Sequence, residues 1–122
     1  MRILICEDDL ITLKALEYSL RKEGYDVLVA GDGRAGADLL RRYAGEIDMM
    51  ITDHHMPYNS GLELVHIVRN ELNYSFPVIM LTRVNLEDNR DLAISLGVNE
   101  YITKPFLPKQ LVSRINHILN NH

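Results

Sequence analysis

Ile3-Leu4-Ile5-Cys6-Glu7-Asp8-Asp9 is the stretch that decides the architecture. Four apolar residues in a row, without alternation, mark a strand covered on both faces. The run halts at carboxylates, and Leu13, Leu16 and Leu20 then recur at helical spacing, with Lys14, Glu17, Arg21 and Lys22 on the other faces. Asp9 suits the N-cap of that helix and Gly24 its stop. The unit is therefore strand, acidic edge, helix.

The same unit recurs along the chain. Val27-Leu28-Val29-Ala30 and the turn Gly31-Asp32-Gly33 lead into a helix carrying Ala37, Leu40 and Tyr43, which ends near Gly45. Met49-Met50-Ile51-Thr52 is followed by Asp53, a loop from Met56 to Gly61, and a helix capped by Ser60 that carries Leu64, Ile67 and Val68. Val78-Ile79-Met80-Leu81, with Pro77 confined to its start, precedes Thr82 and a polar helix from about Glu87 to Leu96 that stops at Gly97. Tyr101-Ile102-Thr103 precedes Lys104 and a last helix with Leu111, Val112, Ile115, Ile118 and Leu119. Strands alternating with helices require right-handed crossovers between parallel strands, giving an α/β sandwich of three layers. Periodicity leaves the strand order open.

Length and composition bound the function. A chain of 122 residues, 47% hydrophobic and 25% charged, has the size of one domain with its own core, so residues 1–122 are read as one domain. A net charge of −4 argues against a nucleic-acid surface, which needs clustered Lys and Arg. Met1-Arg2-Ile3 leads straight into a strand, so no signal peptide is expected, and no apolar run is long enough to span a bilayer. The single Cys6 cannot form an internal disulfide, which suits a cytoplasmic location, and its apolar surroundings make it a small buried hydrophobe.

In a parallel sheet the carboxyl ends of the strands share one edge. Glu7, Asp8, Asp53, Thr82 and Lys104 all sit at such ends, so residues far apart in sequence converge. Carboxylates held close together repel unless a cation intervenes, and a hard divalent ion with oxygen ligands, Mg²⁺ above all, answers that need. Asp53 is then a candidate nucleophile toward a phosphoryl donor, with Lys104 and Thr82 facing the phosphoryl oxygens. Taken singly, each residue has a plainer reading. Acidic residues after strands cap helices, Thr82 can cap the helix that follows, and Lys104 can be a surface lysine. Five together at strand ends make a phosphoryl-transfer constellation.

Cys6-Glu7-Asp8-Asp9, the segment Asp48 to Asp53 followed by Met56-Pro57 and Gly61, Leu81-Thr82, and Tyr101-Ile102-Thr103-Lys104-Pro105-Phe106 stand in order and at matching intervals. In these motifs the chain resembles a bacterial two-component response-regulator receiver domain, from Arg2 to about Leu119. The resemblance implies a flavodoxin-like fold with five parallel strands in the order 2-1-3-4-5 and five helices. It implies that Asp53 accepts a phosphoryl group from a sensor histidine kinase or a histidine phosphotransfer protein. Asp8 would bind Mg²⁺ directly, Glu7 mainly through water, and the main-chain carbonyl of His55 would be a further ligand. Thr82 and Lys104 would contact the phosphoryl group, Tyr101 would be the aromatic switch, and Lys104-Pro105 would be cis. The switched surface would be the fourth helix, fifth strand and fifth helix, and such a domain catalyses only its own phosphorylation and dephosphorylation.

Some positions depart from the family pattern. Arg83 follows Thr82 where a small residue is usual; it either points to solvent or lays its guanidinium over the acyl phosphate. His54 and His55 beside three carboxylates raise a transition-metal reading, which is set aside, and the His55 imidazole is placed at the rim as a possible modulator. On the output face, Arg90, Glu100 and Arg114 are charged, but Gln110 and Asn116 are neutral, which weakens the expectation of a phosphorylation-dependent homodimer. A stand-alone regulator and a receiver cut from a longer protein are both open, and nothing separates them except the absence of any linker after His122. The competing class is a small Mg²⁺-dependent phosphotransferase or phosphatase with Asp53 as nucleophile; a receiver that binds partners without phosphorylation is a third.

Overall fold

The structure, a computed structural model, describes residues 1–83 and 90–120. Five parallel strands, β1 (Arg2–Cys6), β2 (Asp26–Ala30), β3 (Met49–Asp53), β4 (Val78–Arg83) and β5 (Glu100–Lys104), form one sheet in the order 2-1-3-4-5. Helices α1 (Leu10–Lys22) and α5 (Pro108–Asn120) cover one face; α2 (Gly33–Tyr43), α3 (Gly61–His66) and α4 (Arg90–Ser95) cover the other. The expected flavodoxin-like sandwich is the fold, and Lys104-Pro105 is cis. The expected start of the fourth helix at Glu87 and the side chain of Arg90 lie outside the described residues.

Strict alternation along the strands divides the core in two. Ile3, Ile5, Met49, Ile51, Ile79 and Leu81 meet Leu13, Leu16, Leu20, Leu111 and Ile115 of α1 and α5. Leu4, Cys6, Met50, Met80 and Tyr101 meet Leu40, Leu64, Val65 and Ala93 on the other face. Cys6 is fully buried, and burial pushes its thiol pKa up, as expected of a hydrophobe rather than a nucleophile.

The caps follow from sequence. Asp9 accepts from the Thr12 N–H and Asp32 from the Ala35 N–H, so the turn residue Asp32 is the N-cap of α2. Ser60 and Glu63 form a reciprocal capping box on α3. After six residues α3 runs into a π turn, Ile67–Glu71, which periodicity alone does not reveal because Ile67 and Val68 stay on the buried side.

Asn116 corrects the expected output face. Its Oδ1 accepts from the Tyr25 hydroxyl and its Nδ2 donates to Glu23 at 3.4 Å, so it faces the end of α1 rather than β5. Its neutrality therefore carries no information about a dimer. Arg114 does lie beside β5, where it pairs with Glu100 of the same chain.

Two glycines let loops approach the sheet edge. A Cβ on Gly33 would stand 1.8 Å from the Asn59 carbonyl oxygen, and one on Gly61 would stand 2.2 Å from that of Asp53. The Gly33 N–H donates to the Pro57 carbonyl and the Gly61 N–H to that of His54. Backbone cannot yield as a flexible side chain can. Gly33→Ala and Gly61→Ala are each expected to cost about 2 kcal/mol or more, read from the urea midpoint at unchanged m-value.

Candidate functional site

The sheet edge collects the residues that the strands deliver. Lys104, at the end of β5, donates to Glu7 Oε1 at 2.7 Å and to Asp53 Oδ2 at 3.2 Å, joining positions 97 and 51 residues distant in sequence. Asp53 Oδ1 accepts from the His54 N–H at 3.0 Å, so both oxygens of the carboxylate are oriented. Glu7 is fully buried, Asp53 is partly open, and Asp8 is exposed. Ligand atoms of these three carboxylates lie within 4.8 Å of one another.

Burial, followed by the adjacent Asp53, pushes the Glu7 carboxyl up to about 8; the Lys104 ammonium opposes the shift. Burial also works against the charge on Lys104, but its hydrogen bond to Glu7 and the charge of Asp53 outweigh that, and its pKa is raised. Glu7 Oε2 is buried and has no hydrogen-bond partner. An all-oxygen donor set, drawn together and incompletely satisfied, fits a hard divalent cation.

Thr82, at the end of β4, is buried with its Oγ1 unpartnered. Tyr101 is buried on the same side of the sheet. Arg83 is exposed, pairs in register with Lys104, and makes no ion pair among the described residues. It looks into a cleft of about 450 Å³ between α1 and the β5–α5 loop, whose walls include Ile11, Leu16, Lys104 and Phe106. Arg83 therefore stands at a cleft beside the site, on the α1/α5 face.

The two histidines separate. His55 is exposed at the rim as expected, whereas His54 is buried at 4% exposure with neither ring nitrogen hydrogen-bonded. Burial, then its neighbour His55, lowers the His54 pKa, so the ring is neutral near pH 7. The signal for this was present: Met50, Thr52 and His54 alternate along one strand and share its inward face.

The fold is an α/β sandwich that gathers an acidic cluster and a lysine at the carboxyl edge of its strands. Residues 3–116 match the family model described as response regulator receiver domain. The chain belongs to that family. Among solved structures it is similar to a response regulator receiver domain protein from Clostridium thermocellum, at 30% identity and TM-score 0.89 over 98% of this chain and 94% of that one. It is similar also to the chemotaxis protein CheY4 of Vibrio cholerae, at 27% identity and TM-score 0.85 over 96% and 97% of the two chains. A third relative is the BeF3-activated N-terminal receiver domain of Klebsiella pneumoniae RstA, at 25% identity and TM-score 0.85 over 98% of each chain.

The electrostatics of Glu7 set a pH dependence. Between 4.5 and about 8 the native state retains a proton that the unfolded chain has released, so stability falls as pH rises through that window. Lys104 is raised above 10.5, and its contribution stays constant there. In EDTA, the unfolding free energy is expected to drop by on the order of 1 kcal/mol or more between pH 5 and pH 8. Glu7→Gln removes that component of the slope, as denaturant titration at each pH would show.

Proposed function

We propose that the protein is a phosphorylation-controlled signalling switch in which Asp53 accepts the phosphoryl group. The observation that carries this reading is the Lys104 ammonium shared between Glu7 and Asp53, with Asp53 partly open to solvent. An oxygen of Asp53 attacks the phosphorus of a phosphohistidine on a histidine kinase or phosphotransfer protein. A P–O bond forms to Asp53, the P–N bond breaks, and its electron pair leaves on the imidazole. A Mg²⁺ ion held by Glu7, Asp8, Asp53 and the His55 main-chain carbonyl would supply charge neutralisation for the phosphoryl oxygens.

The chain's own residues do the rest. Lys104 turns from the carboxylates toward the new dianion, and Thr82 donates its hydroxyl to a phosphoryl oxygen. These contacts exist in one state only, so they shift an equilibrium in the surface of α4, β5 and α5, with Tyr101 following Thr82. Tyr101 is already packed inward, so its contribution lies in fixing that position. The exposed side chain of Ile11, with Phe106, lines the cleft beside Lys104 and offers the phosphoryl donor an apolar seat. Arg83 lies close enough in register to slow hydrolysis of the acyl phosphate, and His55 to influence the attacking water.

The only chemistry proposed is the domain's own phosphorylation and dephosphorylation. The cytoplasm is its proposed location, alone or within a longer regulator, and a homodimer through α4, β5 and α5 is the proposed response to phosphorylation. Among the described residues no helix is long and apolar enough to cross a membrane.

With Mg²⁺ and acetyl phosphate, the wild type is expected to gain one phosphoryl group by intact-mass spectrometry, and Asp53→Asn none. Lys104→Ala should lower the phosphorylation rate at least about tenfold. Absence of the adduct in wild type under both acetyl phosphate and a phosphorylated kinase would remove the reading. Arg83→Ala should shorten the lifetime of the adduct, and an unchanged lifetime would return Arg83 to a solvent role.

A further inference from the structure

Buried polar atoms without partners are rare in native proteins and call for an explanation. Among the described residues there are four such side-chain atoms: Glu7 Oε2, Thr82 Oγ1, and both ring nitrogens of His54. Glu7 belongs to the acidic cluster. The other three belong to two residues that the sheet makes neighbours.

The β3–β4 ladder shows this. Met50 pairs with Val78, and its N–H donates to the Pro77 carbonyl. Four residues further on, the His54 N–H donates to the Leu81 carbonyl at 2.9 Å, the same bond two repeats later. The pairing therefore runs past Asp53 and Leu81 to His54 and Thr82. Alternation puts both side chains on the face of Met50 and Met80, toward the second core. Side chains directly opposite in a sheet stand about 5 Å apart at Cβ. His54 is 4% exposed and Thr82 1%, so water is no easy substitute partner for either.

We propose that His54 is a positioning residue for Thr82, its ring N–H donating to Thr82 Oγ1 and so aiming the threonine O–H at a phosphoryl oxygen on Asp53. This rests on the phosphoacceptor reading above. A neutral imidazole carries one N–H donor, and a hydroxyl both accepts and donates, so the two form a directed chain from ring to hydroxyl to phosphoryl. No proton is transferred and no titration is needed. In the unphosphorylated protein no hydrogen bond joins the two, both groups are buried and unpaired, and the Thr82 hydroxyl has no acceptor. Phosphorylation gives that hydroxyl its acceptor, so the strain of the unphosphorylated site becomes part of the driving force for the switch.

The inference makes two effects of opposite sign from one substitution. His54→Leu replaces an unpaired buried polar ring with an apolar group, so the melting temperature of the unphosphorylated protein should rise by about 3 °C. The same variant should bind beryllofluoride in the presence of Mg²⁺ about fivefold more weakly. His54→Gln, which keeps an N–H donor, should recover part of that loss. In a Thr82→Ala background, His54→Leu should change beryllofluoride affinity no further. In the wild type the His54 ring ¹⁵N signals should shift on adding beryllofluoride, and in Thr82→Ala they should not. Equal loss of affinity with and without the Thr82 hydroxyl, or unchanged affinity in His54→Leu, would overturn the proposal while leaving the phosphoacceptor reading intact. Failure of the wild type itself to bind beryllofluoride would overturn both.

Discussion

The ammonium of Lys104 between Glu7 and Asp53 is the constraint around which the sheet edge is arranged. It ties the ends of β5, β1 and β3, which are not all adjacent in the sheet, through one cation and two carboxylates. Such an arrangement does little for stability, since withdrawing three charges from water costs about what their attraction returns. Glu7 shows the tension directly: burial drives its carboxyl toward neutrality while Lys104 pulls it toward charge. A group so poised responds to any new charge placed beside it. On the proposed reading, a cation or a phosphoryl group at this edge would change which contacts Lys104 prefers.

The rest of the fold holds this edge at fixed spacing. Two cores of interlocking aliphatic side chains lock the strands in register, and close-packed interiors resist small displacements. The loops that complete the site come near because Gly33 and Gly61 offer no side chain at the points of contact. Hydrogen bonds from these two glycines to Pro57 and His54 then pin both ends of the β3–α3 connection. A change at Gly33, a residue of α2, is therefore transmitted to the carboxylate loop through backbone alone.

Much of this was legible in the chain. Unbroken apolar runs ending in Asp, Glu, Thr or Lys announced buried parallel strands with a polar edge, and the helix caps Asp9 and Ser60 could be named from side-chain chemistry. What stayed hidden depends on rotation and register. Asn116 sits on an amphipathic helix whose polar side faces two neighbours, and only the packing angle decides between β5 and α1. The adjacent pair His54-His55 straddles the end of a strand, where the period of two still governs the first residue but not the second. A strand that stops at its last paired residue looks complete in sequence; the ladder shows that it runs one pair further.

That extra pair changes how the site should be understood. A domain optimised for stability alone would place a leucine or valine at position 54, because an unpaired imidazole in the core is a net cost. Thr82 repeats the pattern with an unpaired hydroxyl on the next strand. Unsatisfied groups concentrated beside the Asp53 carboxylate raise the energy of this state selectively, and that narrows the gap to any state in which they find partners. Placed there, at the edge of an otherwise well-packed sheet, such groups would link the proposed chemistry at Asp53 to the core beneath α4 and β5 without requiring a long chain of intermediates.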